Sequence, residues 1–117
     1  MLLVFDTGQR DHLPFGATAI LGRDPAPSSP GDHLVAVRDE AGTVSKNHLK
    51  VEHAADGVWL TDLGSTNGTR MLTSADDGAG PGQVLPPGVR TRVDGVVQVA
   101  VGARVMRVSY ILQGGRQ

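Results

Sequence analysis

The 117-residue chain has no cysteine. That excludes disulfides, cysteine–zinc sites and thiol catalysis, and leaves the compartment open. Aromatic side chains are scarce: Phe5, Phe15, Trp59 and Tyr110 are all there are, too few for a base-stacking platform. Positive charge is not in excess either. The formal net charge is −1, so no global field draws in nucleic acid. No window approaches the ~18 consecutive apolar residues of a membrane-spanning helix, and the opening MLLVFDTG is too short and uncharged for a signal peptide. No segment keeps a helical apolar period for three turns, so no long helix is expected.

What the sequence does have is punctuation. Sixteen glycines and seven prolines run its whole length, within a composition that is 39% hydrophobic. This is enough apolar material for one domain with one core, and it rules out a disordered tail. Arg outnumbers Lys, and Ala, Gly, Val and Asp are abundant, a bias that points to a GC-rich bacterial genome and says nothing of mechanism. Short β-branched runs recur about every ten residues, as in a sandwich or barrel. Strands are expected over 2–6, 18–22, 34–37, 49–52, 58–62, 70–72, 96–101 and 104–112, with a short extra one near 83–85. Some alternate cleanly: Leu49 and Val51 against Lys50 and Glu52, and Met106, Val108 and Tyr110 on one face, the half-buried pattern of antiparallel sheets. Asp56-Gly57 and Asp94-Gly95 read as turns. Two long surface loops are expected, the proline-rich 24–32 and the acidic, glycine-rich 73–82. The expected organisation is a single domain over 1–113 with a frayed tail at 114–117.

Three segments at strand ends carry chemistry. Gly22-Arg23 closes one strand, Ser45-Lys46-Asn47-His48 opens another, and Asp62-Leu63-Gly64-Ser65-Thr66-Asn67-Gly68-Thr69 follows a third. The last reads three ways: Asn67-Gly68 as a tight turn, Asn67-Gly68-Thr69 as a glycosylation acceptor, or the whole run as donors for an anion. Loops at one end of a sandwich can converge. Together these would supply the planar fork of Arg23, the point charge of Lys46, the hydroxyls of Ser45 and Thr66 and the amide of Asn67. The set is rich in donors and locally cationic, which is the chemistry of an anion receptor.

In this order, GRDP, SKNH and DLGSTNGT resemble the forkhead-associated (FHA) domain, a reader of phosphothreonine peptides. The resemblance covers most of the chain and implies an all-β, antiparallel sandwich of about eleven short strands, with the binding loops at one end. It implies that Arg23 and Ser45 contact phosphate, that Lys46 sits where a phosphate-contacting side chain often does, and that Thr66 lies beside the phosphothreonine. Asn67 would hydrogen-bond the ligand backbone, while Gly22, His48 and Gly68 shape the site. The 21 residues between Arg23 and Ser45 exceed the usual spacing, and the proline-rich loop is expected to absorb the excess. Thr43 stands where some members carry a basic residue.

The implied function is phosphothreonine-dependent protein binding in Ser/Thr kinase signalling, without catalysis, cofactor or metal. The implied partner is a phosphorylated kinase or kinase substrate, with no nucleic acid and no direct membrane contact. The expected setting is cytoplasmic, within a larger protein that is itself soluble or membrane-associated. Two rivals stand beside this reading. One is a phosphate-independent interaction or dimerisation domain of the same fold. The other, more remote, is a hydrolase with Ser45 as nucleophile and His48 as base, for which no third orienting group is evident. Plainer readings cover the rest. Asp76-Asp77-Gly78 lacks the remaining ligands of a calcium loop. His12, His33 and His53 show no metal spacing. Arg104 and Arg107 decorate a strand face or edge. Lys50 and Arg70 either extend the positive surface or stand as exposed strand charges. Trp59 belongs to the core or to packing surface more than to a ligand platform.

Overall fold

The expected alternation is visible in a computed structural model of the chain, which describes residues 1–72, 82–93 and 97–109. Among them are eleven strands and no helix: β1 (Leu2–Phe5), β2 (Arg10–His12), β3 (Thr18–Gly22), β4 (His33–Ala36), β5 (Leu49–Ala54), β6 (Gly57–Asp62), β7 (Thr69–Leu72), β8 (Gln83–Val84), β9 (Thr91–Val93), β10 (Val97–Val101) and β11 (Arg104–Ser109). They form a six-stranded sheet in the order β2-β1-β11-β10-β7-β8 and a five-stranded sheet in the order β4-β3-β5-β6-β9. In β5, Leu49 and Val51 are buried while Lys50 and Glu52 are not; in β11, Met106 and Val108 face inward. The core joins both sheets through Leu3, Leu21, Val51, Leu60, Val99 and Met106, each fully buried.

The sequence pattern missed β2 and β9. The first, Arg-Asp-His, contains no apolar residue, and the second is three residues long with one buried side chain. Both lie at sheet edges, where backbone pairing alone defines the strand and no alternation is needed. The β3–β4 pair also departs from the antiparallel pattern of the other strand pairs: it is parallel, with Ala19 opposite His33 and Gly22 opposite Ala36. Parallel neighbours cannot be joined by a tight turn. The proline-rich loop therefore runs back along β3 to start β4 beside Ala19.

The β5–β6 hairpin turns one residue earlier than the expected Asp56-Gly57: Ala55-Asp56 form the loop, and Gly57, opposite Ala54, already starts β6. Trp59 is packing surface: Arg90 lies 3.9 Å over its ring and pairs with Glu52 at 3.0 Å. Asp94-Gly95, most of the 73–82 loop with Asp76-Asp77-Gly78, the strand positions at 96 and 110–112, and the 114–117 tail lie outside the described residues.

Strand directions settle where the loops go. Gly22 ends β3 beside the start of β5, Leu49 pairs with Asp62 at the end of β6, and Thr69 pairs with Val101, which also faces Arg104. The ends of β3, β4, β6 and β10 and the starts of β5, β7 and β11 thus share one end of the sandwich.

Candidate functional site

Gly22 is the point at which the first two loops meet. A β-carbon there would lie 1.9 Å from the Lys46 carbonyl oxygen and 2.6 Å from its carbon, so only glycine admits the backbone of the second loop. Four hydrogen bonds then join the two loops. Arg23 N–H donates to the Ser45 carbonyl at 2.9 Å and Asp24 N–H to the Lys46 carbonyl at 3.3 Å. Lys46 Nζ donates to the Asp24 carbonyl at 3.1 Å, and Ala26 N–H donates to Asn47 Oδ1 at 2.9 Å. The long loop leaves the site only after this ladder, so its length does not carry the Arg23 backbone away from Ser45. Asn47, to which the sequence assigns no role, is thus one of the residues that join the loops.

His48 joins the second loop to the third. Its side chain is fully buried. Nδ1 accepts the Ser45 N–H at 3.0 Å, which places the ring proton on Nε2, and Nε2 donates to the Gly68 carbonyl at 2.9 Å. Both ring nitrogens are spent on backbone, and neither is bonded to the Ser45 hydroxyl. The pairing that a serine hydrolase requires is not assembled. Ser45 Oγ instead accepts the Thr66 N–H at 3.0 Å, which leaves its own hydrogen free to donate outward. Asn67 Nδ2 donates to the Thr43 carbonyl at 2.9 Å, so Oδ1 and the second amide hydrogen remain for a ligand. Gly68 follows at φ +81°, a left-handed conformation that suits the turn reading of Asn67-Gly68.

The third loop is shaped by Asp62, which sequence reasoning placed only at the motif's edge. Its carboxylate is 1% exposed. Oδ2 accepts the N–H groups of Gly64 and Ser65 at 3.0 Å each, and Oδ1 accepts the hydroxyls of Ser65 and Thr69 at 2.6 Å each. Burial pushes the Asp62 carboxyl up, but these four bonds outweigh it and hold it below the usual carboxylate range. An Asp three residues before a Ser and seven before a Thr was the legible signal of this loop-filling turn.

All eight residues singled out, Gly22, Arg23, Ser45, Lys46, His48, Thr66, Asn67 and Gly68, belong to these three hydrogen-bonded loops. Arg23, Lys46, Thr66 and Asn67 are exposed and Ser45 is half-buried. The Arg23 guanidinium makes no hydrogen bond or ion pair among the described residues. Lys50 is set apart from the loops, in β5 opposite Ile20 and Thr61. Arg104 is no surface decoration: its Nε lies 3.4 Å from the buried carboxylate of Asp39. Among the described residues, no group of three or more His, Asp or Glu side chains is placed to hold a metal ion, and no helix is long and apolar enough to cross a membrane.

The sequence model of the FHA domain family matches residues 19–88, a span that contains all three loops and more than half of the chain. Among solved structures, the chain is similar to the FHA domain of the CT664 protein from Chlamydia trachomatis, with 26% identity, a TM-score of 0.68, and coverage of 94% of this chain and 97% of that one. It is similar in fold to the FhaA FHA domain solved in complex with the intracellular domain of Rv3910, with 20% identity, a TM-score of 0.60, and coverage of 90% and 94%. A third likeness is to a structure from work on phosphothreonine-dependent FHA domain interactions, with 20% identity, a TM-score of 0.64, and coverage of 95% and 96%. No match is found among curated proteins.

Proposed function

The chain belongs to the FHA domain family, and from that premise we propose that it is a phosphothreonine-dependent peptide-binding module with no catalysis of its own. The observation that carries this reading is the unengaged Arg23 guanidinium, whose backbone is tied to Ser45, beside the outward hydroxyl of Ser45, the Lys46 ammonium and the remaining amide capacity of Asn67. A phosphothreonine brings about −1.5 to −2 charges and three strong acceptor oxygens. In this reading Arg23 grips two of those oxygens, while Ser45 donates a hydroxyl hydrogen and Lys46 adds charge. Thr66 flanks the phosphothreonine, and Asn67 holds the ligand backbone. His48, Gly22 and Gly68 act on the loops rather than on phosphate. The partner is a phosphorylated protein in a Ser/Thr kinase pathway, met in the cytoplasm as part of a larger signalling protein.

The test is a titration with matched phosphothreonine, phosphoserine and unmodified peptides drawn from an oriented library. The phosphothreonine form is expected to bind and the unmodified form not to; comparable binding of both sinks the reading. Charge-assisted hydrogen bonds are worth roughly 1.5–3 kcal/mol each, so Arg23→Ala is expected to cost about 2–4 kcal/mol, or ~30- to 1,000-fold in affinity, with the fold intact. The phosphate-independent alternative would appear as a salt-insensitive dimer with no response to phosphopeptide.

A further inference from the structure

Thr43 stands where some relatives carry a basic residue, and the structure gives it a different task. Its side chain does not face outward. Its hydroxyl donates to Asp39 Oδ2 at 2.7 Å, and its N–H donates to the same oxygen. The hydroxyl oxygen accepts the Ala103 N–H at 2.8 Å, and its carbonyl accepts Asn67 Nδ2 at 2.9 Å. Thr43 is therefore bonded to its own loop, to the turn between β10 and β11, and to the third wall of the site. That turn sits directly on it: a β-carbon on Gly102 would lie 2.6 Å from the Thr43 carbonyl oxygen and 2.8 Å from its hydroxyl. Gly102 N–H also donates to the Gly68 carbonyl at 3.3 Å.

Behind Thr43 stands a buried charge. The Asp39 side chain is 1% exposed, and Oδ2 also accepts the Val44 N–H at 2.9 Å. Burial raises its carboxyl pKa, but the bonds from the Thr43 hydroxyl and from backbone N–H groups of its own loop more than reverse this. The group is therefore a carboxylate at neutral pH. Its other oxygen makes no hydrogen bond and faces Arg104 Nε, likewise without one, at 3.4 Å. The second Arg104 contact is to Asp6, at 3.6 Å.

We infer that Asp39, Thr43 and Arg104 are positioning residues of the phosphothreonine site: they touch no ligand, and through the Thr43 carbonyl and the 43–45 backbone they set where Asn67 and Ser45 stand. In this chain the position that elsewhere contributes a cation has become a strut between two walls of the site. The inference rests on the proposed phosphothreonine reading for its effect on affinity, but its structural half can be measured without any ligand.

Two variants separate the hydroxyl from the shape of residue 43. Thr43→Val keeps the branched β-carbon and the backbone N–H bond to Asp39 but removes the two hydroxyl bonds, to Asp39 and from Ala103; Thr43→Ser keeps the hydroxyl. Losing such bonds is expected to weaken phosphothreonine-peptide binding about five- to tenfold in Thr43→Val, with Thr43→Ser within about twofold of the parent. Arg104→Gln, a milder change at a partly exposed residue, is expected to weaken binding about two- to fivefold in the same direction. Without peptide, hydrogen exchange at the Thr66 amide and the Asn67 side-chain amide is expected to accelerate in Thr43→Val and Arg104→Gln, while core amides such as Val51 and Val99 keep their protection. Parental exchange at Thr66 and Asn67 in both variants overturns the inference, as does parental affinity of Thr43→Val. If the parent chain binds no phosphothreonine peptide, the proposed function fails, and the exchange measurement still decides the role of Thr43.

Discussion

At Gly22 one methyl group is enough to displace a wall of the site. The Lys46 carbonyl lies where that methyl would go, and backbone yields less readily than a flexible side chain. Gly22→Ala is expected to lower stability by about 1–3 kcal/mol, the usual cost of overpacking, and to weaken phosphopeptide binding at least ~tenfold. Chemical denaturation and peptide titration would measure the two effects. His48 and Arg23 form a contrast of the same kind. His48→Ala strands the Ser45 N–H, leaves the Gly68 carbonyl only its longer bond from Gly102 and empties a buried space, so it is expected to destabilise the fold by about 3 kcal/mol. Arg23→Ala is expected to leave the melting temperature unchanged and remove only binding. The sequence names Arg23 by its donor chemistry as well as by resemblance, and gives Gly22 and His48 their site-shaping roles by resemblance alone. The glycine is required by the Lys46 carbonyl, twenty-four positions away, and the histidine's tautomer is set by the Ser45 N–H of its own loop together with the Gly68 carbonyl of the next.

Individual strands and loops differ in how far their sequence announces them. β5 and β11 alternate because one face meets the core, so their pattern is written in the residue types. β2 and β9 are edges and bear no such mark. The loop after β6 is legible as a turn; its organiser, Asp62, is marked in the sequence only by its spacing to Ser65 and Thr69, and the four donors around it show the role. Because its folded pKa is depressed, the stability it confers is fully present above the ordinary carboxylate pKa and is lost as pH falls through the folded value. Asp39 has the same sign. Stability of the chain is therefore expected to fall between about pH 5 and about pH 2, followed by denaturant unfolding at each pH. Asp62→Asn is expected to be less stable than the parent at neutral pH and to depend less steeply on acid. A parallel response in both proteins would remove Asp62 as a source of acid sensitivity.

Over the whole molecule, the apolar core and the charged end respond to different conditions. The hydrophobic core spans both sheets, whereas the proposed site presents cations on a chain of net charge −1. Raising salt from about 50 to about 500 mM is expected to weaken phosphopeptide binding several-fold through screening, while the denaturation midpoint moves little. Leu60→Ala, in the core, is expected to do the reverse, costing about 2–5 kcal/mol of stability with peptide affinity per folded molecule retained. By itself the sequence determined the all-β class, the faces of the central strands and the three loops that matter, because solvent exclusion and turn chemistry act on neighbouring residues. Only the tertiary structure decided that β4 runs parallel to β3, that Thr43 faces inward and that Arg104 stands behind Asp39. Those outcomes depend on backbone and charge brought together from distant parts of the chain, where no local pattern records them.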